Sequence, residues 1–322
     1  GRGTPRECPA PPPPDSGSGY RRRHPASPGV PPAAAPRGPG SPHRSTRPGH
    51  GAGSACGKAL GAVPSSTVGY EKIRNWAFQY ENDEAGFVTY LLDGQPEPPK
   101  YFAMMKHLNK VVRPLLVQVP QPVKLSTEAF KKAYEAGIKI IDTRNKVDFA
   151  KGFLPGSINI QHNNSLATWA GWILNYQEQF ILVAKANEME EITRKLMRIG
   201  LDNSYGFVES VDDLDIDLQT AAIIDIATFK SYLAEDDVQI VDVRGINEYN
   251  EGHIEGAEHI FVGTLQDNLH KIKVDQQVII HCQSGDRAAI AYAILRRNGF
   301  EGVKNFSGGM KEWLANGGET VS

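Results

Sequence analysis

Val278-Ile279-Ile280-His281-Cys282-Gln283-Ser284-Gly285-Asp286-Arg287-Ala288-Ala289 is an apolar run, a polar turn and a helical pattern in immediate succession. Val278–His281 reads as a near-continuous apolar strand, as in a parallel sheet covered on both faces. Ala288–Arg297 reads as a helix in which Ala288, Ala289, Ala291, Tyr292 and Leu295 favour a packed face, and Asn298-Gly299 stops it. A strand that turns directly into a helix belongs to an α/β fold. Such a turn directs successive backbone N–H groups inward beside a helix N-terminus, which makes an anion site. Cys282 opens that turn, and its thiolate is expected to be stabilised by the loop dipoles and by a cation such as Arg287. The plain alternative is that Cys282 is a small buried hydrophobe.

Working outward, the segment proves to be half of an internal repeat. Ile141-Asp142-Thr143-Arg144 returns as Val241-Asp242-Val243-Arg244 at an offset of 100, which also carries Gly152 to Gly252, Gly156 to Gly256 and Ile160 to Ile260. Gln179-Phe180-Ile181-Leu182 matches Gln277-Val278-Ile279-Ile280 at 98, and Arg198-Ile199-Gly200-Leu201 matches Arg297-Asn298-Gly299-Phe300 at 99. Each unit alternates short strands with helical patterns; in the second, Val238–Val243 is a further strand and Met310–Ala315 a last helix after Ser307-Gly308-Gly309. The expectation is α/β, one domain per repeat. Trp169, Trp172 and Tyr176 are spaced as a buried helical stripe.

Three motifs in order resemble the rhodanese family over roughly residues 220–320. Val241-Asp242-Val243-Arg244 with Glu248-Tyr249, Gly252-His253-Ile254 and Gly256-Ala257 is similar to its first signature, and Ser307-Gly308-Gly309-Met310 with Trp313 to its closing one. The family's active loop begins with Cys and ends six residues later, counting both, usually with Arg, as Cys282 to Arg287 does here. The resemblance implies that Cys282 carries sulfur as a persulfide, that Arg287 assists it, and that Gln283, Ser284, Gly285 and Asp286 form the substrate-binding loop. Asp242, Arg244 and Glu248 are read as structural support, and His253 as a structural turn. His281 could serve as a base, but it occupies a strand position. In the first repeat Ala184 stands where Cys282 stands, and Ala184-Lys185-Ala186-Asn187-Glu188-Met189 lacks both Cys and Arg. That repeat is therefore read as a degenerate rhodanese unit with a packing or spacing role.

Composition divides the rest of the chain. Residues 1–50 hold 14 of the 22 prolines and 8 arginines against only Glu7 and Asp15, with Val30 and Tyr20 as their only large apolar residues. Such a segment cannot bury enough surface to order itself, and 1–48 is expected to be disordered. All 18 lysines lie after residue 50, which suggests a foreign or misread start joined to a truncated gene. A basic nucleic-acid-binding arm is the weaker alternative. The remainder carries 35 acidic and 27 basic residues, net −8, which argues against a nucleic-acid partner. No apolar run of membrane-spanning length and no signal peptide are found, and Cys8, Cys56 and Cys282 are too scattered for a disulfide framework or zinc cluster.

Between these parts, His50-Gly51-Ala52-Gly53-Ser54, Cys56-Gly57, Ser65-Ser66-Thr67-Val68-Gly69-Tyr70-Glu71, Pro98-Pro99-Lys100-Tyr101-Phe102, Met104-Met105-Lys106 and Leu108-Asn109 resemble the end of a metallo-β-lactamase fold. The order resembles persulfide dioxygenase–rhodanese fusions. That fold gathers metal with a His-x-His-x-Asp-His segment, which is absent; no two of the nine histidines have His-x-His spacing. His50 is then a remnant of the metal-site region, and one His cannot hold a catalytic ion. Iron is expected only in full-length relatives, and no cofactor here. The apolar surface of this remnant is expected to be exposed or collapsed.

The expected organisation is 1–48 disordered, 49–119 a metallo-β-lactamase-fold remnant, 120–212 a degenerate rhodanese unit and 213–322 a catalytic one. The expected function is a cytoplasmic sulfurtransferase that moves sulfane sulfur from thiosulfate or a glutathione or other small persulfide to sulfite, cyanide or a thiol. No nucleic-acid or membrane partner is expected, and a possible homo-oligomer is left open. Three alternatives stand beside it. A rhodanese-fold cysteine phosphatase or arsenate reductase would need a loop one residue longer. An interaction module would not need Cys282. A dioxygenase or hydrolase of the metallo-β-lactamase type would need ligands this chain lacks.

Overall fold

The β-branched and aromatic runs of the two repeats form two parallel sheets in the computed structural model, which describes residues 45–46, 65–93, 95, 98–113 and 117–322. The remaining residues, including His50, Cys56 and all but two positions of 1–48 and its flank to residue 64, lie outside the described residues. One unit contains β1 (Ser45–Thr46), paired antiparallel with β2 (Ser66–Thr67), then α1 (Val68–Arg74) and a 3₁₀ turn, Trp76–Tyr80. The division falls after the first residue of α2 (Glu84–Leu92), and the other unit contains residues 85–322, with the rest of α2 and α3 (Lys100–Leu108). None of α1, α2 and α3 has a fully buried residue, and Ile73, Leu92 and Val112 are exposed apolar side chains, whereas Tyr101 and Met105 of α3 pack against the core of the repeats.

In the first repeat α4 (Thr127–Glu135), β3 (Lys139–Asp142), α5 (Lys146–Lys151), β4 (Ile158–Asn159), α6 (Leu166–Ile173), β5 (Phe180–Val183), α7 (Met189–Met197) and β6 (Ser204–Val208) follow in order. The sheet order is β4-β3-β5-β6, all parallel. The second repeat contains β7 (Ile223–Ile224), α8 (Ile226–Tyr232), β8 (Val238–Asp242), α9 (Ile246–Glu251), β9 (Glu258–His259), β10 (Gln277–His281), α10 (Asp286–Arg297), β11 (Val303–Phe306) and α11 (Gly309–Ala315). Its sheet order is β7-β11-β10-β8-β9. Register reproduces the sequence offsets: Ile140 faces Ile181 as Ile240 faces Ile279. The polar corner repeats too. Arg144 is bidentate on Asp142 and donates to the Gly152 carbonyl at 2.8 Å, and Arg244 is bidentate on Asp242 and donates to Gly252 at 2.7 Å.

The two repeats form two domains that pack against each other. Each sheet has its own core on one face: Phe130, Ile140, Ile181 and Val208 in the first, Phe229, Ile279, Phe306 and Met310 in the second. The other faces share a single core that joins Phe149, Phe153, Leu166 and Trp172 to Val241, Ile280, Cys282 and Tyr292. Consequently α10 is buried all round from Ala288 to Leu295 rather than on one face, because it is covered by its own sheet and by the first repeat. The aromatic stripe also differs from a single helical face. Leu174 takes an extended conformation and ends α6 at Ile173, so Tyr176 lies beyond the helix and donates to the Ile199 carbonyl, while Trp172 meets Phe261 of the second repeat edge-on at 5.1 Å. The boundary expected at 212/213 cuts through a 3₁₀ turn, Asp212–Leu214; Leu214, Ile216 and Leu218 still pack on the first repeat.

The degenerate loop of the first repeat is filled from within. Where β5 leaves the sheet, the Ala186 amide donates to the Glu209 carboxylate at 3.1 Å, and Glu209 also pairs with Lys124. The hydrogen bonds from Lys124 and Ala186 hold the Glu209 carboxyl below its ordinary pKa. A carboxylate of the same repeat thus takes up an amide of this loop.

Candidate active site

β10 delivers Cys282 to the C-terminal edge of the second sheet, and the chain then turns through Gln283-Ser284-Gly285 into α10. Cys282 is 1% exposed, which a packing cysteine would also show. The loop around it is not that of a packing residue. The Gly285 N–H donates to the Cys282 Sγ at 3.1 Å. This requires Gly285 at φ +94, a conformation side-chain-bearing residues rarely adopt, and a Cβ there would stand 2.5 Å from the Ser307 carbonyl oxygen.

Three successive loop carbonyls are held away from the sulfur. Cys282 O accepts from the Met310 amide at 2.9 Å and Gln283 O from the Lys311 amide at 3.0 Å, both in the first turn of α11. Ser284 O accepts from the Lys146 ammonium, which reaches over from α5 in the first repeat and also donates to Asp286 Oδ1 at 2.7 Å. With the carbonyls turned outward, the amide dipoles face the thiol side, as an anion-holding turn needs. The close approach explains the Gly308-Gly309 turn: Gly309 has φ +59, and a Cβ there would lie 2.2 Å from the Cys282 carbonyl oxygen.

Arg287, expected as a cation that assists the thiolate, is anchored on a carboxylate. Both terminal nitrogens donate to Glu248, Nη2 to Oε1 at 2.8 Å. Burial works against the Arg287 charge, but the Glu248 hydrogen bonds outweigh it, with a smaller push from Cys282, and the guanidinium stays firmly protonated. Burial likewise opposes ionisation of Glu248, and Arg287 reverses this, so its pKa lies below the ordinary carboxylate value. Arg287 therefore offers a fixed positive charge rather than a free fork. Glu248 also accepts from the Gly245 amide at 3.1 Å and so ties α9 to α10.

Asp242 and Arg244 form the buried corner below the loop, with side chains 0% and 5% exposed. Burial disfavours the Asp242 carboxylate, but the hydrogen bonds and charge of Arg244 help to hold its pKa below the ordinary carboxylate value. His281 is fully buried, and that burial lowers its pKa and keeps the imidazole neutral. Its ring packs 6.3 Å from Phe229, whereas Cys282 belongs to the core on the opposite sheet face. Strand alternation thus turns His281 away from Cys282, which removes it as a base for that thiol. His253 stacks on Tyr249 at 3.7 Å, a packing contact.

Beside the loop a cavity of about 310 Å³ opens between the repeats, lined by Lys146, Ala150, Lys151, Ile223, Asn305 and Ser307 among others. Asn305 is 3% exposed, and its Oδ1 has no hydrogen-bond partner. Neither Lys146 nor Asn305 was marked by the sequence motifs; the position equivalent to Lys146 in the second repeat is Ile246, so the repeat pattern carries no sign of it. Among the described residues no group of three or more His, Cys, Asp or Glu side chains is gathered to hold a metal ion, and no helix is long and apolar enough to cross a membrane.

The model of the rhodanese-like domain matches residues 126–215 and 225–316. The chain is 25% identical over 184 residues to the "Putative sulfur carrier protein YrkF" of Bacillus subtilis (strain 168), covering 56% of this chain and 92% of that one. It is 35% identical over 98 residues to the thiosulfate sulfurtransferase GlpE of Pseudoalteromonas translucida (strain TAC 125), covering 30% of this chain and 93% of that one. A solved metallo-beta-lactamase from Staphylococcus aureus subsp. aureus COL matches at 35% identity and TM-score 0.42, covering 51% of this chain and 45% of that one, so less than half of its length is spanned.

Proposed function

The chain belongs to the rhodanese-like family, and from that premise we propose that it is a sulfurtransferase whose second repeat carries sulfane sulfur on Cys282. The observation that carries this reading is the Gly285 N–H directed at Sγ from a loop whose three carbonyls are held outward. In the first half-reaction the Cys282 thiolate attacks the outer sulfur of thiosulfate. The S–S bond breaks, sulfite leaves with the electron pair, and Cys282 becomes a persulfide. In the second, cyanide, sulfite or a thiol attacks the outer sulfur, and Cys282 leaves as a thiolate. A glutathione persulfide donor would act in the same way, with glutathione as the leaving group. The two half-reactions share one enzyme form, which gives ping-pong kinetics.

Each residue of the loop has a stated part. The Gly285 amide stabilises negative charge on Sγ, both as nucleophile and as leaving group. Gln283, Ser284 and Asp286 complete the turn, and Arg287 contributes its charge while Glu248 fixes its position. Asp242 and Arg244 support the loop from below. The cavity beside Lys146 and Asn305 would hold the part of the donor or acceptor that is not sulfur. The first repeat has no nucleophile at the corresponding position, and its loop amide is already taken by Glu209. No metal or organic cofactor enters these steps.

The test is intact mass spectrometry after incubation with thiosulfate. One added sulfur, mapped to Cys282 and discharged by cyanide, is expected. An unmodified chain, or sulfur on Cys8 or Cys56, would overturn the assignment.

A further inference from the structure

We propose that Lys146, contributed by the repeat without a nucleophile, is a positioning residue for sulfur transfer at Cys282. This rests on the sulfurtransferase reading above. Of the three loop carbonyls turned away from Sγ, α11 holds two through backbone amides, whatever its side chains. The third, Ser284 O, depends on one side chain 138 residues away in the sequence. Ser284 O belongs to the peptide whose N–H is that of Gly285, the donor to Sγ. A planar peptide places its C=O and N–H on opposite sides. Holding Ser284 O outward therefore aims the Gly285 N–H at the sulfur. Lys146 binds that oxygen and Asp286 Oδ1 together, and so fixes the loop against the first turn of α10.

Lys146 is itself well anchored. It opens α5 behind the Asn145 cap, and its backbone amide donates to Gln161 Oε1 at 2.9 Å. Its ammonium lies 3.1 Å from where a Gly285 Cβ would be, so it sits close against the loop. The first repeat thus has a task beyond spacing: it supplies the cation that completes the loop of its partner repeat.

The experiment uses the full chain with Lys146→Met, which keeps the stem and removes the donor, and Lys146→Arg, which restores one. Because a misaimed catalytic group typically costs 10- to 100-fold, Lys146→Met should lower kcat for thiosulfate:cyanide transfer roughly 10-fold or more, over and above any rise in KM from the place of Lys146 in the cavity wall. Lys146→Arg should recover most of the loss. Independently of activity, hydrogen exchange of the Gly285 amide should quicken by about tenfold in Lys146→Met and return in Lys146→Arg. An unchanged kcat, a loss confined to KM, or an unchanged exchange rate overturns the proposal. If the unaltered chain transfers no sulfur, the sulfurtransferase reading fails, and the exchange comparison still decides whether Lys146 aims the loop.

Discussion

Gly285→Ala and Gly299→Ala make a matched pair that isolates the loop. Both glycines have φ near +90, at +94 and +83, so an alanine at either position is strained in the same way. That strain is about 1–2 kcal/mol for an L-residue. They differ in surroundings. A Cβ at Gly299 meets nothing within 4 Å, whereas one at Gly285 meets a backbone carbonyl at 2.5 Å. Relief at Gly285 must move the loop and break the N–H contact to Sγ. A hydrogen bond to a charged group contributes roughly 1.5–3 kcal/mol, and at about 1.4 kcal/mol per tenfold this is roughly a 10- to 100-fold loss of rate. Thiosulfate:cyanide transfer, with thermal unfolding of each variant, reads both terms. Both variants should lose stability, and only Gly285→Ala should lose the bulk of kcat. The reasoning is refuted if Gly285→Ala transfers sulfur at the unaltered rate, or if Gly299→Ala loses as much.

Other outcomes follow from the same geometry. Cys282→Ser should abolish transfer and persulfide formation, while Cys56→Ser retains both; residual transfer in Cys282→Ser would remove Cys282 from the mechanism. Glu248→Gln should be less stable than the unaltered chain near neutral pH, because the Glu248 pKa is lowered in the folded state by Arg287 against the opposing effect of burial. A lowered folded pKa adds stability above the unfolded value and loses it below, so the gap in melting temperature should shrink as pH falls below about 4.3; a gap independent of pH over that range contradicts the pairing. With no His-x-His pair in the sequence, the chain should purify without stoichiometric iron and take up no oxygen with glutathione persulfide. Iron-dependent oxygen uptake would show that the missing motif is not needed.

The sequence by itself determined the strand–turn–helix around Cys282, the repeat and the absence of a cysteine from the first loop. These are local or periodic properties. Ala184 for Cys282 is a substitution at one aligned position, and the offsets of 100 and 98 return as strand register because both repeats pair their strands alike. The buried corner of Asp242 and Arg244 is legible for the same reason, since its partners lie within ten residues. Tertiary structure alone decided the rest. Arg287 is legible as a cation of the loop, but only the fold places Glu248 against both its terminal nitrogens. The burial of α10 all round depends in part on the first repeat, whose Phe153 meets Tyr292 edge-on, and that surface match is not encoded in periodicity. Lys146 is the extreme case. It is the half-buried first residue of a six-residue helix, has no counterpart in the other repeat, and meets the loop only when two independently patterned surfaces come together. A long, flexible cationic side chain leaves no spacing signal in sequence, and its partner here is a backbone carbonyl, which every residue possesses.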